Sequence, residues 1–119
     1  MRGSNRFRPQ ERLRSSSEYQ QVKRAGKRAR SRHFVVNFTA NDLPHHRLGM
    51  VVQKRYYNAV RRNRIKRCLR EWFRLHKSEI PMPGKDIVII ARAGAQQLSS
   101  VEVSRELTEV FSTRGGRSS

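Results

Sequence analysis

The sequence predicts a single α+β domain with the element order αβββαβα, in which helices pack on a mixed β-sheet. Three patterns favour this fold. Apolar residues alternate with a period of two in segments 33–39 and 47–55, and they recur at helical spacing over 59–76. Residues 87–90 form an uninterrupted apolar run, which is typical of a strand buried on both faces. A chain of 119 residues has room for one modest hydrophobic core.

The two ends of the chain have a different composition. Residues 1–14 are rich in Arg and lack hydrophobic periodicity, so we predict a flexible basic arm before a domain over 15–113. Residues 114–119 are Gly, Ser and Arg, and we interpret them as a flexible tail rather than as an RGG-type RNA contact.

The first helix is predicted over about 16–25. Ser15 and Glu18 have the spacing of a capping box at its start, and Gly26 stands where a helix stop is expected. Residues 27–31 can form a short edge strand.

Two half-buried strands follow, separated by turn residues at 41–44. Their alternation defines two faces of the sheet. One face is predicted to point to the core: Phe34, Val36, Phe38, Leu48, Met50 and Val52. The other, polar and cationic face is predicted to carry Val35, Asn37, Val51, Gln53 and Arg55.

A long helix over 59–76 is predicted next, with Asn58 as its N-cap. Residues 81–84 break the chain before the apolar strand 86–91, and this β-α-β unit should be parallel. A second capping box at 99–102 begins a last helix, whose predicted buried residues are Val103, Leu107, Val110 and Phe111.

The helix over 59–76 has two opposite faces. Its apolar stripe consists of Ile65, Cys68, Leu69, Trp72 and His76, with Phe73 at the edge. The other face carries Asn63, Arg67, Arg70 and Arg74, with Lys66 alongside and Arg62 and Arg64 flanking. A solvated helix face normally mixes charge signs, yet Glu71 is the only acid here. The repulsion between these cations predicts a polyanionic ligand.

The overall charge agrees with that interpretation. The chain has 27 Lys and Arg against 9 Asp and Glu, a formal net charge of +18. Nucleic acid is the expected partner, with an anionic membrane surface as the second candidate. No segment approaches the roughly 18 apolar residues of a membrane span, so we expect a cytoplasmic protein. Because nucleic acid is the preferred partner, we expect no membrane partner.

The residues that could perform protein-based catalysis are sparse. His33, His45, His46 and His76 lack metal-ligand spacing with acids or cysteines. Cys68, the single cysteine, lies on the apolar stripe and is interpreted as a small core residue. Because no catalytic triad or carboxylate pair is visible, we predict no catalytic residue in the protein.

Segments 47–55 and 58–67, followed by Arg70-Glu71, resemble the bacterial ribonuclease P protein family. The family pattern is an Arg-Asn-Arg core, here 62–64, followed by x-Lys-Arg and a downstream Arg-Glu. The similarity extends over about 7–111.

This resemblance implies a protein subunit of a ribozyme. The ribonuclease P RNA performs a Mg²⁺-dependent hydrolysis that removes the 5′ leader of precursor tRNA, and the protein assists. No cofactor bound by the protein alone is expected, and it should be a monomer that forms a heterodimer with the RNA. The family fold implies a left-handed β-α-β crossover, although right-handed crossovers strongly predominate.

The resemblance also implies two sets of binding residues. The set for the catalytic RNA is Arg61, Arg62, Asn63, Arg64, Lys66, Arg67 and Arg70. The set for a leader-binding cleft is Tyr19, Lys23, Val35, Asn37, Val51, Gln53, Arg55 and Asn58.

The chain departs from the family pattern at three positions. Tyr57 replaces a usual glycine, while Lys23 and Asn37 stand where aromatic residues are common. We therefore expect leader contacts that depend more on charge than on stacking.

Two other classes of protein share some of these features. A ribosomal or ribosome-assembly protein would have the same charge and an RNA-binding fold. A DNA-binding regulator would need a helix-turn-helix, whereas strands are predicted on both sides of this basic helix.

Overall fold

Four strands form one mixed sheet in the order β1-β2-β4-β3. Their bounds are Lys27–Arg30 (β1), Phe34–Ala40 (β2), Arg47–Val51 (β3) and Lys85–Ala91 (β4). The structure is a computed structural model and describes residues 9–111. β2 is antiparallel to β1 and β4, whereas β3 is parallel to β4, which confirms the predicted parallel unit.

Three α-helices complete the predicted order αβββαβα. They span Ser16–Ala25 (α1), Ala59–His76 (α2) and Ser100–Val110 (α3), with short 3₁₀ turns at Pro9–Glu11, Lys77–Glu79 and Ala95–Gln97. The capping boxes at the starts of α1 and α3 are both formed. Each satisfies backbone N–H groups that a helix start otherwise leaves unpaired.

The main core lies between one face of the sheet and helices α2 and α3. It confirms the predicted inward residues of the strands: Phe34, Val36 and Leu48 are buried, and Phe38, Met50 and Val52 pack against them. Trp72 joins the two helices, because its indole N–H donates to Oγ1 of Thr108 at 3.1 Å and its ring stacks on Phe111. Phe73, predicted at the edge of the stripe, is fully buried because it follows Leu69 by one helical turn.

The opposite face of the sheet is only partly covered. Val22 of α1 packs there on Val88 of β4 and on Leu13, and all three are buried. Tyr19, Val51 and Ile90 lie around this small cluster and remain half exposed. The uncovered part of this face lies beside α1, and we refer to it as the groove.

The third strand is shorter than predicted. The alternation continues to Arg55, but β3 ends at Val51, which is paired with Ile90 one residue before β4 ends. With no partner strand beyond that point, the chain turns instead, and the Tyr56 N–H donates to the carbonyl of Gln53 at 3.3 Å.

Part of the predicted basic arm packs on the domain. The Leu13 N–H donates to the carbonyl of Leu48 at 3.0 Å, so this segment lies along the outer edge of β3. Glu11 is buried, and one of its carboxylate oxygens lies 2.7 Å from Nζ of Lys77. Residues 1–8 of the arm, and 112–119 with the predicted tail, lie outside the described residues.

Candidate RNA interface

The outward face of α2 carries a continuous row of cations. We call the α2 rail the set Arg61, Arg62, Asn63, Lys66, Arg67 and Arg70. Arg61, Asn63 and Arg67 are exposed, and the other three are half-buried. The rail points outward because Ile65, Leu69 and Trp72 bury the opposite side of the helix. No acidic residue occurs between Arg47 and Arg70 in the sequence, so no carboxylate of this segment repels a bound anion.

Arg64 differs from the α2 rail, because its guanidinium bonds to a part of the protein that is distant in sequence. Nη2 donates to the carbonyl of Leu98 at 2.7 Å, and Nη1 lies 3.5 Å from the carbonyl of Gln96. These bonds tie α2 to the 3₁₀ turn before α3. In this structure Arg64 therefore holds the fold, whereas the sequence placed it with the RNA-binding residues.

The start of α2 is fixed by side chains on both sides of it. Asn58 is the predicted N-cap, and its Oδ1 accepts from the Arg61 N–H at 2.9 Å. Arg62 donates to the carbonyl of Tyr57 at 3.3 Å. Asn58 was predicted to line the cleft, but in this structure its side-chain oxygen is hydrogen-bonded to the start of α2.

Tyr57, which replaces the usual glycine of the family, is buried and packs in the main core. Its hydroxyl donates to the carbonyl of Arg92, and burial raises the pKa of Tyr57 above 10.0. Glycine is not needed at this position, because Tyr57 does not have a positive φ. Among residues 9–111, Asp42 is the only non-glycine residue that has one.

The floor of the groove is a row of side chains across three strands. We call Val35, Ile90 and Val51 the cleft strip, because they are paired in register on β2, β4 and β3. Arg30 extends this row on β1 and is exposed. All three strip residues are half-buried, so they offer apolar surface next to a cation.

The remaining predicted cleft residues are spread around the strip. Lys23 is exposed on α1. Gln53 and Arg55 are exposed in the turn after β3, where Nε of Arg55 donates to Oε1 of Gln53 at 3.2 Å. Asn37 lies one row away, beside Val88, and is 4% exposed, with its Oδ1 accepting from Nε of Arg28 at 3.3 Å. The structure therefore places Val35 and Val51 in one row, on either side of Ile90, and sets Asn37 beneath the accessible surface.

Tyr19 forms the wall of the groove on the α1 side. Its ring lies against Gly49, where the Cβ atom of any other residue would be 2.7 Å from Cζ of the tyrosine. Its hydroxyl accepts from the Met50 N–H at 3.1 Å. Glycine at this position thus makes room for the aromatic ring.

A charged cluster that the sequence did not predict holds α1 on the sheet. Arg47 donates two 2.8 Å bonds to the carboxylate of Asp86 and contacts Glu18 at 3.3 Å. Backbone hydrogen bonds from Arg14 and Ser15 lower the pKa of Glu18, and Arg47 lowers it further. The one signal for this cluster in the sequence was Asp86, an acidic residue at the start of the otherwise apolar strand β4.

The histidines have structural partners, and within residues 9–111 no group of three or more His, Cys, Asp or Glu side chains is arranged to hold a metal ion. His46 is buried, with the Lys85 N–H donating to its Nδ1 at 3.0 Å and its Nε2 donating to the carbonyl of Ile80 at 3.1 Å. His33 pairs with Glu106 at 2.9 Å. No helix within the same range is long and apolar enough to cross a bilayer.

The fold and these surfaces together are typical of a small basic protein that binds nucleic acid. A model of the ribonuclease P family matches residues 7–114, most of the chain. The chain therefore belongs to the ribonuclease P protein family, which confirms the resemblance seen in its sequence and rules out the ribosomal and DNA-binding alternatives.

Individual relatives agree with this assignment. The chain is 65% identical, over 98% of both chains, to the ribonuclease P protein component of Syntrophobacter fumaroxidans. It is similar in structure to the Staphylococcus aureus RNase P protein, with a TM-score of 0.80, 36% identity, and coverage of 87% of this chain and 94% of that one. For the Thermotoga maritima RNase P protein the TM-score is 0.78 and the identity 34%, with coverage of 87% of this chain and 96% of that one.

Membership of this family fixes the role of the chain in general terms. It is the protein subunit of a ribonucleoprotein endoribonuclease and a partner of the ribonuclease P RNA. In this family the chemistry is metal-dependent and is carried by the RNA.

Proposed function

We propose that the α2 rail binds the ribonuclease P RNA while the groove over the cleft strip binds the 5′ leader of precursor tRNA. The observation that supports this division is the position of the two surfaces. α2 packs on one face of the sheet, and the cleft strip lies on the other face. Because a sheet separates them, two RNA segments can be bound without competing for the same side chains.

The chemistry of each surface suits its proposed ligand. The guanidinium groups of the rail can each make two hydrogen bonds to a phosphate. This suits a folded RNA, because its phosphate backbone faces outward. Asn63 is neutral and exposed, and it can donate to or accept from a 2′-hydroxyl. The groove instead combines apolar surface at Val35 and Val51 with the ring of Tyr19, which suits an extended single strand.

The protein's contribution to the reaction is then positional. By holding the leader and the catalytic RNA together, it places the scissile phosphate at the RNA's active site. We propose that Mg²⁺ is bound by RNA phosphate oxygens, the type of ligand it prefers. We further propose a monomeric protein that forms a one-to-one complex with the RNA, in the cytoplasm where precursor tRNA is made.

Reconstitution tests this function. The protein is mixed with a bacterial ribonuclease P RNA and precursor tRNA at low Mg²⁺, and leader cleavage is compared with that by the RNA alone. We expect a clear gain in cleavage. An absence of gain, together with co-sedimentation of the protein with ribosomes, would contradict the proposal.

The salt dependence of binding tests the rail separately. Lys66→Ala and Arg67→Ala should each lower the slope of log affinity against log salt by about 0.7 to 1, since each removes about one phosphate contact. Arg105→Ala is the matched control, because it removes an exposed arginine from α3. An equal change in slope for this control would mean that the rail is not the specific contact.

A further inference from the structure

We propose that Tyr56 is a stacking site for one unpaired base of the leader, at the end of the groove nearest α2. This inference rests on the proposed function of the groove. Tyr56 belongs to neither set of residues predicted from the sequence. It is an aromatic residue that remains 45% exposed.

The ring of Tyr56 is held by its neighbours. The guanidinium carbon of Arg55 lies over it, 5.0 Å from the ring centroid. The ring of Tyr57 meets it in an edge arrangement, with centroids 6.1 Å apart. Because Tyr57 is buried and the Tyr56 N–H is bonded to Gln53, the backbone under the exposed ring is fixed. A fixed ring loses little conformational entropy when it binds a ligand.

An arginine beside an exposed tyrosine is well suited to a nucleotide. Every base has a π-face that can stack on an aromatic ring, and a guanidinium adds a cation–π contact and a partner for the phosphate. Lys54 and Arg61, both exposed and close in sequence, supply further positive charge. A peptide ligand would not need this concentration of cations.

The position of Tyr56 favours the leader over the catalytic RNA. Val51 is the last residue of β3 and belongs to the cleft strip, and the turn that carries Tyr56 follows it directly. A single strand lying along the strip toward this end would reach the exposed ring next. The rail begins at Arg61, so Tyr56 lies between the two surfaces in sequence.

Abasic substitutions in the leader provide the test. Precursor tRNAs with one abasic site at each successive leader position are bound to the holoenzyme carrying wild-type protein, Tyr56→Ala, Tyr56→Leu or Tyr56→Phe. With wild-type protein, one position should show a loss of about tenfold in affinity, within the range of a single base–aromatic stack. Tyr56→Ala should bind the intact leader with about tenfold lower affinity, and the abasic site at that one position should cause no further loss. Tyr56→Phe should behave as wild type.

Two controls separate the possible failures. Leu75→Ala removes a side chain with a similar exposure, 49%, at the far end of α2, and it should bind like wild type. If Tyr56→Ala weakens leaderless tRNA equally, the stacked base belongs to the catalytic RNA and the inference is overturned. Additive losses from Tyr56→Ala and every abasic site would also overturn it. If the wild-type protein gives no leader-dependent affinity at all, the proposed function itself fails.

Discussion

The hydroxyl of Tyr19 accepts the Met50 N–H at 3.1 Å while its ring rests on Gly49, where any side chain would collide with it. Gly49→Ala should therefore displace the ring and remove most of the affinity that depends on the leader. The loss should resemble that of Tyr19→Ala, about 1 to 3 kcal/mol if one base stacks there.

Binding of precursor and leaderless tRNA to the holoenzyme measures this effect. The double variant Gly49→Ala, Tyr19→Ala should lose no more than Tyr19→Ala alone, because both changes remove the same contact. Tyr19→Phe keeps the ring and serves as the control. Full additivity in the double variant would mean that the glycine acts on binding by some other route.

The Arg47–Asp86 pair should be important for stability. Asp86→Ala leaves the Arg47 guanidinium half-buried with Glu18 as its remaining carboxylate, and breaking such a pair costs about 3 kcal/mol. Urea unfolding of the free protein measures the loss. Glu71→Gln breaks an exposed i,i+3 pair with Arg74 and is expected to leave the midpoint unchanged. Equal losses for both variants would contradict the importance of burial.

His46 should make the protein less stable in mild acid. Burial lowers the pKa of His46 below the usual 6.5, and the nearby charges of Lys85 and His45 lower it further, against the opposing effect of Ile80 and Glu11. The unfolded chain therefore takes up a proton first as the pH falls. Stability is unaffected well above pH 6.5 and decreases below it, by at most about 1.4 kcal/mol per pH unit.

Unfolding free energies between pH 7.5 and 5.5 test this dependence, a range above the usual carboxylate pKa values. His46→Gln should be less stable at pH 7.5 but lose less stability on acidification. His45→Gln, at a half-buried loop neighbour, removes only a minor cause of the His46 shift; it is the control and should keep most of the wild-type slope. A slope in His46→Gln as steep as in the wild type would show that another group is responsible.

Arg64 and Arg67 should separate folding from RNA binding. Arg64→Ala removes the bonds to the carbonyls of Leu98 and Gln96 and should destabilise the protein by about 1 to 2 kcal/mol. Arg67→Ala, from an exposed position three residues away, should leave stability unchanged and weaken RNA binding. Urea unfolding and RNA titration on both variants give the comparison. The reverse pattern would place Arg64 among the direct RNA contacts.

The sequence predicted those features that depend on neighbours along the chain. The bounds of α2 are correct because its start has Asn58 as a cap and its apolar stripe is continuous. The predicted end of β3 was wrong, because the alternation of residues up to Gln53 and Arg55 does not show where the partner strand stops.

The same distinction applies to the site. Periodicity placed the cations of α2 on one face, but it could not show that Arg64 finds its acceptors more than thirty residues away at Gln96 and Leu98. Nor could it show that Asn37 lies beneath the accessible surface. Tyr56 was missed because its exposure depends on the turn that ends β3, and that turn was predicted as strand.

Both edges of the sheet are protected in the free protein. The carbonyl of Leu48 and the N–H of Met50, on the outer edge of β3, are already bonded to Leu13 and Tyr19. The other edge, β1, carries Lys27, Arg28 and Arg30 in four residues, so a second copy approaching it meets repulsion. A newly made subunit that has not yet met its RNA can thus accumulate without recruiting other copies into aggregates through its strands.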